Sequence, residues 1–167
     1  KGESWFIGNT YNMSIGQGDL LVTPLQIANA TSTIASSGKQ YKPHFIKKIV
    51  TPSGEIIRDF KKEDFLVSEN QFSKDNLQTV REGMRMTVTD GSAHSIFGDN
   101  FPMDVAAKTG TAQFGTEGKT HAWFASFAPY DNPQLVVVVL IEGGGEGYQS
   151  AAPVAKEIYS WWQQNRM

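Results

Sequence analysis

Residues 135–142, Leu-Val-Val-Val-Val-Leu-Ile-Glu, constrain the fold more than any other stretch of this chain. The run has the length of one strand, is rich in β-branched residues and shows no polar alternation. Such a strand is apolar on both faces, which predicts an interior position in a sheet covered by helices on both sides. Two more strand-like segments precede it, 105–113 and 121–128, with turn-rich sequence at 114–118 and 129–133. After it, Gly143-Gly144-Gly145-Glu146-Gly147 leads into a last helix. There Ser150 is the expected cap, Pro153 falls in the first turn, and Val154, Ile158, Trp161 and Trp162 form the expected inward face. The fold class these elements predict is α+β, an antiparallel sheet with helices on both faces.

The first half of the chain is punctuated by helix and turn signals. Residues 14–18, Ser-Ile-Gly-Gln-Gly, read as a glycine-rich loop feeding a helix. Thr23 is a good N-cap, Pro24 suits the first helical position, and Gln26 completes a capping box. Leu25, Ile27, Ala28, Ala30, Ile34 and Ala35 give this helix a broad apolar face, and Gly38 stops it. Gly16-x-Gly18 lacks the third glycine of a dinucleotide fingerprint. Residues 45–50 and 55–60 flank Thr51-Pro52-Ser53-Gly54 and predict a β-hairpin. A second helix should begin near Ser73 or Asp75, place Leu77, Val80, Met84 and Val88 on one face, and end at Asp90-Gly91-Ser92. Residues 97–103 read as loop.

With 167 residues, 40% of them hydrophobic, the chain can bury one core. A net charge of −2 and the lack of a basic stripe point away from nucleic acid. No cysteine is present, so disulfide and thiolate chemistry are excluded, and the scattered His44, His94 and His121 offer no zinc spacing. No cofactor is expected. No apolar run reaches membrane-spanning length. The chain opens on Lys-Gly-Glu, which reads as a piece of a longer protein.

One stretch carries chemistry. Val105-Ala106-Ala107-Lys108-Thr109-Gly110-Thr111-Ala112-Gln113 places an ammonium, two hydroxyls and a bare backbone within four positions. Taken alone, Lys-Thr-Gly reads as an exposed edge strand blunted by lysine, with glycine at a bulge. On a flat strand Lys108 and Gly110 share one face while Thr109 and Thr111 share the other. All four serve one ligand only if the strand is an edge and the ligand lies beside it like an added strand.

Residues 14–28 (SIGQGDLLVTPLQIA), 108–113 (KTGTAQ) and 121–129 (HAWFASFAP), in this order, resemble the penicillin-binding proteins, and within them the class B transpeptidases of cell elongation or division. Lys-Thr-Gly is one of the motifs of the penicillin-recognising serine enzymes. The resemblance implies that residues 1–167 are the C-terminal portion of a transpeptidase domain of the serine β-lactamase-like fold. The activity it implies is cross-linking of peptidoglycan stem peptides through a serine acyl-enzyme. The implied ligands are a stem peptide ending in D-Ala-D-Ala and the β-lactams that imitate it. The implied partners are the N-terminal half of the domain and a membrane glycan polymerase, and the implied location is the extracytoplasmic face of a bacterial membrane. Lys108 would direct positive charge at the substrate carboxylate, and the Thr109 and Thr111 hydroxyls would hydrogen-bond it. The Thr111 N–H would donate to the oxyanion, Gly110 would let the ligand approach, and Gln113 would line the acceptor side. Part of a serine β-lactamase or penicillin sensor, and a non-catalytic peptide or cell-wall binding module, are the alternatives.

The family also needs a Ser-x-x-Lys nucleophile motif and a Ser-x-Asn motif. Ser36-Ser37-Gly38-Lys39 and Ser68-Glu69-Asn70 imitate them. Ser36, however, sits at a helix end where Gly38 breaks the turn, and Ser68 sits in a charged segment before a helix. The nucleophile is therefore expected outside this chain, and the chain alone is expected to be inactive. His121 with Asp104 or Asp131 does not have triad spacing, and Glu63-Asp64 reads as a solvated turn.

Overall fold

The computed structural model describes residues 4–115 and 118–166. Thr116 and Glu117, in the expected turn 114–118, lie outside the described residues, as do the opening Lys-Gly-Glu and Met167. The chain begins with a short helix that periodicity did not reveal, α1 (Ile7–Ser14), none of whose residues is buried. The glycine-rich loop leads to α2 (Pro24–Ala35). Its N-terminus forms as expected: the Thr23 hydroxyl accepts from Gln26 N–H at 3.3 Å, and Gln26 Oε1 accepts from Thr23 N–H at 2.8 Å. Such a cap is worth about 1 kcal/mol.

Short β1 (Gln40–Tyr41), the hairpin β2 (Lys48–Val50) and β3 (Ile56–Asp59), and β4 (Leu66–Ser68) follow. The hairpin forms where turn chemistry predicts it, yet both its strands are exposed throughout. The charged residues 61–64 enter a 3-10 turn, Lys62–Phe65, in which Asp64 accepts from Lys61 N–H at 2.8 Å. Helix α3 (Lys74–Thr89) starts at its Ser73 cap. Leu77, Met84 and Val88 are buried as expected, but Val80 is exposed and Arg81 is buried in its stead. A four-residue helix, α4 (His94–Phe97), precedes the loop, where Phe101 packs edge-on against Phe97.

The main sheet has β5 (Ala106–Phe114), β6 (Lys119–Ala128) and β7 (Leu135–Ile141), antiparallel in the order β5-β6-β7. This corrects one expectation: the apolar 135–142 strand is an edge of this sheet, and the central strand is β6. The continuous apolar pattern of β7 reflects what covers its faces, not its neighbours along the hydrogen-bonding direction. Val137 packs with Tyr159, Ala152 and Ala155 of the C-terminal helix α5 (Ala152–Arg166), while Val136 packs toward Ile34, Ala35 and Met84 of α2 and α3. Helices thus cover both faces of the antiparallel sheet. Phe124 and Phe127, on opposite faces of β6, are fully buried, each contributing about 1.5–3 kcal/mol.

Two helix faces differ from the pattern. In α2 the buried residues are Thr31, Thr33 and Ala35, whereas Leu25 is exposed. Both threonine hydroxyls donate back to helix carbonyls, those of Ile27 and Asn29, so they enter the core satisfied. In α5 the inward residues are Ala152, Ala155 and Tyr159, while Val154, Ile158 and Trp161 are exposed. Small alanines let the helix lie close to the sheet. Tyr159 donates to the Ser126 hydroxyl at 3.0 Å, which donates to Val137 C=O at 3.0 Å, and burial pushes the phenol pKa up. Ser150 does not cap α5; it donates to Gly144 C=O at 2.6 Å inside a π-helical turn, Gly147–Ala151.

Candidate functional site

The Lys108–Gln113 segment lies on β5, the other edge of the sheet, as a beside-the-strand ligand requires. Register pairs Lys108 with Ala125, Thr109 with Phe124, Gly110 with Trp123 and Thr111 with Ala122. The outward groups identify themselves by their partners. Thr111 C=O accepts from the Gln17 side chain at 3.2 Å, and Thr109 C=O accepts from Lys108 Nζ at 2.6 Å. In an antiparallel strand a residue's C=O and N–H point to the same side. The N–H groups of Thr109 and Thr111 therefore face the open edge too, where the two side-chain faces of the strand meet.

Each hydroxyl of the segment is engaged. Thr109 Oγ1 lies 3.0 Å from Ser92 Oγ, in the turn that follows α3. Thr111 Oγ1 donates to Glu146 Oε2 at 2.9 Å. Lys108 and Gln113 are exposed, and Thr109, Gly110 and Thr111 are half-buried. Beside the start of β5, Arg85 donates to Val105 C=O at 2.9 Å and pairs with Asp104.

Gly110 is closely packed inside the sheet. A Cβ there would lie 3.1 Å from Trp123 Cβ. A Cβ on Gly147 would run into Trp123 O and Gly110 O, so the 143–147 loop is seated directly on the Gly110 backbone. Gly145 N–H donates to Thr120 C=O at 3.1 Å, and Gly143 N–H donates to His121 Nδ1 at 3.2 Å. His121 stacks on Phe114 at 3.9 Å, so it anchors this loop, and Asp104 is taken by Arg85. The triad arrangement is not formed.

Sequence reading missed Gln17, Ser92 and Glu146. Each comes from a segment far along the chain or across a turn, and only tertiary folding brings it to β5. The one available signal was that Gln17 and Glu146 each interrupt a glycine-rich run. In the two imitation motifs, Ser36 Oγ donates to Lys39 C=O at 2.7 Å at the end of α2, and Ser68 Oγ donates to Gln40 Oε1 at 3.1 Å.

The family model for the penicillin binding protein transpeptidase domain matches residues 1–160. The peptidoglycan D,D-transpeptidase MrdA of Haemophilus influenzae is 33% identical over 98% of this chain, which spans 27% of that relative. Among solved structures, Pseudomonas aeruginosa PBP2 in complex with WCK 5153 aligns with a TM-score of 0.76 at 31% identity, over 98% of this chain and 36% of that one. Penicillin-binding protein A of M. tuberculosis, solved as a ceftriaxone acyl-enzyme complex, aligns with a TM-score of 0.79 at 28% identity, over 89% of this chain and 34% of that one. The chain thus spans about a quarter of the length of the curated relatives it matches. With that match, and with a Lys-Thr-Gly-Thr strand on the open edge of an antiparallel sheet, the chain belongs to the penicillin-binding protein transpeptidase domain family.

Proposed function

We propose that this chain is the C-terminal portion of a peptidoglycan D,D-transpeptidase domain and supplies its substrate-binding edge strand. The observation that carries the reading is the open edge of β5, where the Thr109 and Thr111 backbone and the Lys108 ammonium converge. Acyl transfer through a serine ester needs a carboxylate anchor and donors for the tetrahedral oxyanion. Lys108 and the Thr109 and Thr111 hydroxyls supply the first, for a stem peptide ending in D-Ala-D-Ala or a β-lactam. The Thr111 N–H supplies one oxyanion donor, a contact worth on the order of 3 kcal/mol of barrier. Gln113, exposed at the far end of the segment, lines the acceptor side.

The serine and its lysine lie in sequence outside this chain. No helix among the described residues is long and apolar enough to cross a membrane. The extracytoplasmic location and a membrane glycan polymerase as partner belong to the same proposal.

Lys108→Ala in the full-length protein tests it. Acylation by a labelled penicillin should slow at least about a hundredfold. The melting temperature should stay within a degree or two, because an exposed lysine contributes charge and little packing. Unchanged acylation returns Lys108 to an edge-blunting role.

A further inference from the structure

A hydroxyl has one hydrogen to donate. In this molecule the Thr111 hydrogen is committed to Glu146 Oε2 at 2.9 Å. A ligand carboxylate arriving at Thr111 meets a donor already used and a second negative charge in contact with it. The two carboxylates cannot share that hydroxyl without repulsion. Glu146 must release it first.

The loop that carries Glu146 is poorly placed to retreat as a whole. Gly143 N–H is held by His121 and Gly145 N–H by Thr120 C=O. Gly147 sits against the Gly110 and Trp123 carbonyls with no room for a Cβ. Glu146 C=O accepts from both Gln149 N–H and Ser150 N–H at 3.1 Å, fixing it at the start of the π-helical turn. The Glu146 side chain itself is exposed, and rotation about its χ angles is the motion left to it. The backbone therefore keeps this carboxylate beside Thr111, and a rotamer change opens the hydroxyl.

We propose that Glu146 is a specificity-determining residue, an internal carboxylate that competes with the ligand's carboxylate for Thr111. It lowers the chain's preference for anionic ligands while leaving their uncharged counterparts unaffected. This rests on the reading of β5 as a carboxylate-binding strand, and the two can be separated by experiment.

Acylation rate constants would be measured in the full-length protein for a penicillin and for its methyl ester, and the acid-to-ester ratio compared among Glu146→Gln, Glu146→Ala and Thr111→Val. Two unit charges about 4 Å apart in water interact enough to change a rate roughly fivefold. Both Glu146 variants should therefore raise the ratio about fivefold, and Thr111→Val should lower it. If the Glu146 variants leave the ratio unchanged or reduce it while Thr111→Val lowers it, the competition is overturned and the strand reading stands. If Thr111→Val does not move the ratio, the strand reading fails and the competition with it. Glu146 is exposed, so loss of fold in these variants is not expected, and a melting curve checks it.

Discussion

At Gly147 the absence of a side chain shapes the site as much as any functional group. Its Cα faces the carbonyls of Gly110 and Trp123, and the next atom a larger residue would add has nowhere to go. Those obstacles are strand backbone, which cannot turn aside as a flexible side chain would. Gly147→Ala should lift the 143–147 loop from β5, costing about 1–3 kcal/mol of stability as other overpacking substitutions do. The same lift moves Glu146 from Thr111. In the full-length protein this variant should lower the melting temperature and alter acylation together, whereas Glu146→Ala should alter acylation alone. A Gly147→Ala protein as stable as the parent would show that the loop can shift without loss, and that the contact is not a constraint. Gly147 could be placed in a glycine run from sequence, but the need for that one glycine depends on a strand nearly forty positions upstream.

Helix α3 shows the same limit one level up. Its apolar spacing gives the helix and three of its four core positions, but the fourth buried residue is charged. Arg81 ties α2 to α3 and to the turn after β6. Its guanidinium donates to Ile34 C=O and Ala35 C=O, the last carbonyls of α2, and to Tyr130 C=O at 2.6 Å. It also lies 5.0 Å from the Phe127 ring centre and 5.1 Å from that of Tyr130. Carbonyls at a helix C-terminus have no partner within the helix, and a cation there also meets the negative end of its dipole. Arg81→Ala should cost about 2–3 kcal/mol, since charged hydrogen bonds are lost and buried acceptors are left open. Lysine, a single ammonium without the planar fork, should recover less than half of this. Urea unfolding of the three proteins decides it, and equal midpoints for alanine and arginine would remove Arg81 from the packing account. The sequence could show neither this arginine nor the faces of α2 and α5, for one physical reason. Periodicity reports which residues are apolar, not what covers them. Capping and turn chemistry are local, and the Thr23 cap, the 51–54 hairpin turn and the Ser73 start of α3 were legible. The Lys108–Gln113 strand was legible by motif, and its position on an edge followed from the ligand argument. Its partners Gln17, Ser92 and Glu146 were not.

At the scale of the whole molecule, the mismatched faces become a surface. Trp5, Phe6, Ile7, Tyr11, Leu20 and Leu25 are exposed in the α1–α2 segment, and Leu21 is 90% exposed. On α5, Val154, Ile158 and Trp161 form a second apolar stripe at helical spacing. One outer edge of the sheet is β7, the chain's most apolar strand, which has no strand partner on its far side among the described residues. Contiguous apolar surface of more than a few hundred Å² on a soluble body marks an interface. On the proposed reading of this chain as the C-terminal portion of a transpeptidase domain, the occupant proposed for these faces is the remainder of that domain, since the chain spans 36% of the solved PBP2 chain it aligns with. Residues 1–167 expressed alone should therefore bind a hydrophobic dye and associate in sedimentation, in proportion to concentration. Adding the complementary half of the domain should suppress both, and with them the tendency of the β7 edge to pair with a second copy. A monomer that melts cooperatively and ignores the dye would mean that the exposed faces are too dispersed to act as one surface. That outcome would favour a self-contained peptide-binding module, with the Lys108 strand as its only interface.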